Sequence, residues 1–217
     1  MNDKTDKGRF DCRGLACVRG GRRVFDRLNM TLKAGGALVL RGPNGSGKSS
    51  LLRLMAGLLH PAEGQIAWDS APVADDPEAH RARLCYVGHL DAQKPALTLR
   101  ENLAFWAEIQ GGGDVGRALD AFALTALADQ PARFLSAGQR RRANLARLAL
   151  APRALWLLDE PATALDQETR LRLNALIADL RRTGGMVVVS THEDLDLREA
   201  HTLNMADYAP RPGEAAA

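Results

Sequence analysis

The run Gly42-Pro43-Asn44-Gly45-Ser46-Gly47-Lys48-Ser49 constrains this chain more than any other segment. It fits G-x-x-x-x-G-K-[ST], the pattern of a phosphate-cradling loop. Glycines let the backbone curl until successive N–H groups point at one anion. Lys48 supplies a compact positive charge for the outer phosphates, and the Ser49 hydroxyl is a ligand for Mg²⁺. The mechanism needs a strand before the loop and a helix after it, because the helix N-terminus adds its own attraction for phosphate. Both flanks are present. Ala37–Leu40 is an apolar strand candidate, and Leu51, Leu52, Met55, Leu58 and Leu59 recur at helical spacing over a predicted helix Ser49–Leu59. The blander alternative, a glycine-rich turn that happens to precede a helix, is disfavoured by this order of strand, loop and helix.

A chain of 217 residues, 46% hydrophobic and 25% charged, has room for one domain with a sizeable core, or one domain plus a subdomain. A net charge of +3 gives no reason to expect a nucleic-acid partner. No apolar run reaches the roughly 18 residues of a membrane span. Residues 1–8 are polar and lack the apolar centre of a signal peptide, so a cytosolic location is expected. Cys12, Cys17 and Cys85 have no metal-ligand spacing and read as buried, inert thiols.

Further strands are predicted at Ile66–Trp68, Leu84–Val87, Ala154–Leu158 and Met186–Ser190. Further helices are predicted at Leu99–Gln110, Val115–Leu127, Ala137–Ala151 and Gln167–Arg182. Thr98 with Glu101, and Ser136 with Gln139, have capping-box spacing. Residues 90–134 carry helices and glycine-rich turns without a convincing strand. They read as a helical subdomain inserted into a single α/β domain, 9–209, with a mostly parallel sheet. The ends, 1–8 and 210–217, are expected to be disordered tails.

The segment Ala154-Leu155-Trp156-Leu157-Leu158-Asp159-Glu160 is an apolar strand that ends in two acids. A buried strand end tolerates adjacent carboxylates only where something neutralises them. Mg²⁺ would do so for Asp159, leaving Glu160 to polarise a water for in-line attack on a terminal phosphate. The alternative is a solvated strand end before the turn at Pro161. Leu135-Ser136-Ala137-Gly138-Gln139 is weak by itself, since Ser-x-x-Gln opens many helices. Beside the other two motifs it resembles the LSGGQ signature of ATP-binding-cassette (ABC) ATPases, with Ala137 in the third place. Thr163-Ala164-Leu165-Asp166 resembles the family's D-loop, and His192 stands where the family has its switch histidine. From sequence alone, Asp166 could equally be a helix N-cap, and His192 a surface histidine. Arg140-Arg141-Arg142 reads as a solvated helix face.

The resemblance implies the P-loop NTPase fold of the ABC ATPase type, with ATP and Mg²⁺ as cofactors. It implies Glu160 and His192 as catalytic, and nucleotide binding by 42–49, Ser136, Gly138, Gln139 and Asp166. It implies Ser49, Asp159 and His89 around the metal. His89 takes the place of the family's usual Q-loop Gln, a role a neutral imidazole could fill. Arg19 stands where an aromatic residue usually stacks on adenine, with Phe25 the nearest aromatic, and Gly36 replaces a common acid. Ser136 and its helix form a second anion site, and in the family two subunits pack head to tail so that each signature meets the partner's nucleotide. A homodimer with two shared ATP molecules is the expected state. The Tyr-x-Gly-His, LSAGQ and Leu-Trp-x-Leu-Asp-Glu-Pro segments are most similar to the ATPases of cytochrome c maturation transporters. That branch implies an integral membrane permease partner and a peripheral position on the cytoplasmic face of the inner membrane. Another exporter ATPase, for drugs or polysaccharides, is the rival within transport. A soluble cassette protein acting on DNA or ribosomes is the rival outside it.

Overall fold

A computed structural model of the chain describes residues 8–193 and 195–210. The expected tails lie outside these residues except for Gly8 and Pro210. Two sheets sandwich the helix that follows the phosphate loop. The parallel sheet has the order β6 (Leu84–Val87), β7 (Leu155–Asp159), β8 (Met186–Ser190), β3 (Ala37–Arg41), β9 (His201–Asn204). The antiparallel sheet has the order β2 (Arg22–Lys33), β1 (Arg9–Arg19), β4 (Glu63–Trp68), β5 (Ala71–Pro72).

Both faces of the parallel sheet are covered, which is why its strands are nearly continuous apolar runs. Side chains alternate along β7. Leu155 and Leu157 enter one core with Phe10, Phe25 and the helix α1 (Lys48–Met55), which contributes Leu51, Leu52 and Leu54. Trp156 and Leu158 enter the other. There they meet Leu103 of α3 (Leu99–Ile109), Leu119 of α4 (Val115–Ala121), Leu145 of α5 (Ala137–Ala146) and Leu173 of α6 (Gln167–Arg182). No strand element falls within 90–134 among the described residues.

Several predicted helices are too long. α1 stops at Met55 because Gly57 turns left-handed at φ +68°, so Leu58 is 56% exposed rather than part of the apolar stripe. α4 stops at Ala121, with Ala123 at φ +52°, and the predicted continuation to Leu127 is a separate 3₁₀ turn. α5 passes into a 3₁₀ turn at Arg147. β1 and β2, the two longest strands, were not predicted. Their pairing is irregular between Cys12 and Val18, and Arg27 takes φ +53°, so the apolar positions slip in phase and no simple alternation survives. β9 buries only Leu203, and the six-residue helix α2 (Pro77–Ala82) is too short to show a period. At Gly36 an added Cβ would strike Lys33 O at 2.7 Å, a steric reason for the missing acid.

His80 of α2 joins the antiparallel sheet to the end of α1. It is 3% exposed, accepts from Trp68 Nε1–H at 2.9 Å, and faces Met55 O through Nε2 at 2.9 Å. Only the neutral ring with its proton on Nε2 satisfies both bonds. Burial pushes its pKa below 6.5, the Met55 carbonyl opposes this, and Arg81 and Arg83 add to the lowering. The unfolded chain therefore takes up this proton first. The stabilisation is complete above 6.5 and is lost as the pH falls through the lower folded value. Acidification from about pH 7.5 to 5.5 should lower the thermal midpoint, and His80→Gln should remove part of that dependence while losing about 1–3 kcal/mol at pH 7.5. Circular-dichroism melts of both proteins across this range would show it. Parallel pH curves would refute the role of His80.

Candidate functional site

The phosphate loop leaves β3 and enters α1 through three left-handed glycines, Gly42, Gly45 and Gly47, at φ +138°, +82° and +99°. A Cβ on Gly47 would lie 2.8 Å from Val24 Cγ1 and 2.9 Å from Phe25 Cδ1, so the loop rests directly on β2. No side chain caps α1, which leaves its first N–H groups to an anion. Lys48 is 8% exposed, and its ammonium donates to Gly42 O at 2.7 Å and Pro43 O at 3.2 Å. Those carbonyls hold the charge inside the curl. Ser46 Oγ is buried without a partner among the described residues.

β7 delivers Asp159, which is 2% exposed. Its Oδ1 accepts from Ser190 Oγ of the neighbouring strand at 2.6 Å, while Oδ2 is buried with no donor among the described residues. A buried carboxylate oxygen with no partner is costly unless a cation takes it. Asp159 and the Ser49 hydroxyl line the same cleft, so the donors present fit Mg²⁺.

Glu160 follows in the left-handed conformation, φ +49°. Its N–H donates to Ser190 O at 2.9 Å, and its carbonyl accepts from Arg141 Nη2 at 2.5 Å. Its carboxylate accepts from the His192 N–H at 3.4 Å and lies 3.6 Å from His192 Nε2. One cleft of about 450 Å³ is lined by the phosphate loop, Asp159, Glu160, His89 and Arg19. Phe25, by contrast, is fully buried beneath the loop and presents no face to a base. Among the two adenine candidates, only Arg19 borders the cleft.

Ser136, Gly138, Gln139 and Asp166 lie elsewhere. They line a separate pocket of about 200 Å³ with Arg142, Ala164 and Thr169, and it shares no lining residue with the cleft. Ser136 caps α5: Gln139 N–H donates to Ser136 Oγ at 3.2 Å, and Ser136 N–H donates to Gln139 Oε1 at 2.7 Å. Gly138 has open space where a Cβ would be. Asp166 caps α6, accepting from the Thr169 N–H at 2.7 Å, and this bonding with Thr169 holds its carboxyl below the usual range. Two helix N-termini thus open on one pocket.

The arginine run is not a solvated face throughout. Arg141 is 6% exposed and donates to Gly88 O, Asp159 O and Glu160 O. Arg140, which donates to Leu135 O, and Arg142, beside the Ser136 pocket, are both half-buried at the surface, so only Arg141 departs from the expectation. Register on α5 could have revealed it, since Arg141, Leu145 and Leu148 share one face at i, i+4 and i+7. Ser190, the second partner of both carboxylate residues, was read only as a strand end. The three cysteines are free and buried, and burial raises their pKa values.

The ABC transporter family profile matches residues 25–163. The chain belongs to the ABC transporter family, as an ATP-binding domain. It is 60% identical to the cytochrome c biogenesis ATP-binding export protein CcmA of Rhodospirillum rubrum, over 93% of this chain and 88% of that protein. It is 54% identical to the protein of the same name from Paramagnetospirillum magneticum, over 96% of this chain and 97% of that one. Among solved structures, the ATP-binding cassette MJ0796, dimeric in a post-hydrolysis state with ADP and Pi, is similar at a TM-score of 0.74. That pair is 26% identical over 85% of this chain and 88% of the other.

Proposed function

We propose that this chain is the ATP-hydrolysing, energy-coupling subunit of an ABC transporter for c-type cytochrome biogenesis, serving haem export or delivery. The observation that carries the reading is the single cleft holding the phosphate loop, the unpartnered Asp159 Oδ2 and the clamped Glu160. The two CcmA proteins, 60% and 54% identical to this chain, supply the process.

In this reading the loop N–H groups and the start of α1 bind the phosphates. Lys48 turns from Gly42 O and Pro43 O to the outer phosphates. Ser49 and Asp159 would hold Mg²⁺, with His89 as a further candidate at the cleft edge. The ion, when bound, neutralises charge on the outer phosphate oxygens. Ser190 fixes Asp159 by engaging the other carboxylate oxygen. Glu160 orients the attacking water and accepts its proton, and His192 flanks that carboxylate.

Ser136 and Gly138 open on a pocket apart from the cleft, so a second copy, turned head to tail, would bring them to this cleft. The MJ0796 cassette, dimeric with ADP and Pi, supports a dimer. We place the dimer peripherally on the cytoplasmic face of the inner membrane, coupled to an integral membrane permease and not to nucleic acid. The sharing is testable by mixing. Lys48→Ala and Ser136→Arg homodimers should each be inactive. An equal mixture should recover about a quarter of wild-type hydrolysis, since half the dimers are mixed and each has one intact site of two. No recovery after subunit exchange would mean that each chain carries its site alone.

A further inference from the structure

Arg141 is a buried arginine whose observed partners are backbone oxygens at the ends of two strands. Nη1 donates to Gly88 O at 3.1 Å, just past β6 and next to His89. Nη2 donates to Asp159 O at 3.2 Å and Glu160 O at 2.5 Å, at the end of β7. The guanidinium is a planar fork, able to serve several fixed acceptors at once, which a lysine ammonium does not match. Burying a permanent charge is expensive even with the Asp91, Asp159 and Glu160 carboxylates near enough to favour it, and a fold without further need of it would place an apolar residue there.

The need lies at Glu160. A non-glycine residue at φ +49° is strained and persists only where its surroundings over-determine it. The bonds on its peptide group do so here. Ser190 O and Oγ take the Glu160 N–H, and the Glu160 carbonyl accepts from Arg141 Nη2 and, across the turn, from the Thr163 N–H at 3.3 Å. Loss of the Arg141 bond, the shortest of these, loosens the turn and lets the carboxylate shift in the cleft. Arg141 also stands on α5, five residues after its cap Ser136, so the same side chain ties the base to the helix that opens the second pocket.

We infer that Arg141 is a positioning residue for hydrolysis: it holds Glu160 in its left-handed turn and locks that turn to the Gly88–His89 loop and to α5. The inference rests on the reading of Glu160 as the base. Displacing a reacting group by about 1 Å costs on the order of a hundred-fold in rate. Arg141→Gln and Arg141→Met in the full-length chain should lower kcat about 10- to 100-fold, with the Kd for a fluorescent ATP analogue changed less than about 3-fold. Combined with Glu160→Gln, either substitution should lower the residual rate by less than about 2-fold, because the base it positions is already gone.

Arg141→Met takes a donor from three carbonyls, of which Glu160 O keeps the Thr163 N–H, and can fail to fold, so melting curves accompany each variant, and Arg141→Gln, which keeps a donor, decides in that case. A folded Arg141→Gln protein with wild-type kcat overturns the inference. So does a parallel loss of binding and turnover, or a full multiplicative loss on the Glu160→Gln background. Failure of the underlying reading has a different signature: Glu160→Gln alone then hydrolyses ATP normally.

Discussion

Glu160→Gln will bind MgATP with near wild-type affinity and hydrolyse it at least about a hundred-fold more slowly. The amide keeps the size of the carboxylate and occupies the same clamped turn, held by Ser190 O and Arg141. It cannot accept the proton of the attacking water. The phosphate loop, Lys48 and Asp159 are untouched, so the ground-state complex forms. Under the proposed function, in which two copies share each ATP, the unhydrolysed nucleotide should hold them together. Size-exclusion chromatography with ATP should show a dimer that the wild-type protein does not retain. Unchanged steady-state hydrolysis would remove Glu160 from the role of base. The histidine gives an internal control. His192 touches the same carboxylate at 3.4–3.6 Å, so a rate loss in His192→Ala that vanishes on the Glu160→Gln background would place both in one unit.

Lys48→Ala should lose nucleotide affinity by about 100- to 1000-fold, or roughly 3–4 kcal/mol. The magnitude follows from the number and type of bonds. An ammonium on phosphate oxygens makes charge-assisted bonds in a half-enclosed cleft, and three donors act together. In the free protein the same ammonium rests on Gly42 O and Pro43 O, neutral acceptors that bind it less strongly than a phosphate does. Lys48 itself lines the open cleft, so its removal admits water to those carbonyls and the fold survives. Isothermal titration with MgATP, beside melting curves without nucleotide, separates the two effects. Normal affinity in a folded Lys48→Ala protein would contradict the phosphate role.

Much of the site was legible from local patterns. The curled loop at 42–49 was legible because such a curl is built from consecutive residues, and consecutive residues are what a sequence displays. The caps Ser136 and Asp166 were legible for the same reason, each bonding a residue three positions on. The acids ending β7 were legible from chemistry, as charge after a buried strand. The antiparallel sheet was not, because its bulges break the period on which strand reading depends. Arg141 was misread because three adjacent arginines suggest solvent, and inward orientation depends on a helix register that the cluster obscured. Phe25, the nearest aromatic along the chain, packs beneath the loop, and nearness in sequence did not report which side of β2 it occupies.

By itself, then, the sequence determined the local arrangements: a curled glycine loop before a helix, a buried strand ending in two acids, and a second, capped helix N-terminus. These are short-range arrangements, set within a few residues of backbone. Only the tertiary structure decided which oxygens are free and which are held. Asp159 keeps one buried oxygen without a donor among the described residues, while Ser190, 31 positions away, takes the other. Glu160 faces the cleft because residues 19 and 30 positions away grip its peptide group from two sides. The separation of the two pockets, too, is a property of packing, since it depends on where α5 and α6 begin relative to a sheet edge. Bonds of that range have no local signature, and they exist only once the two cores have closed around the parallel strands.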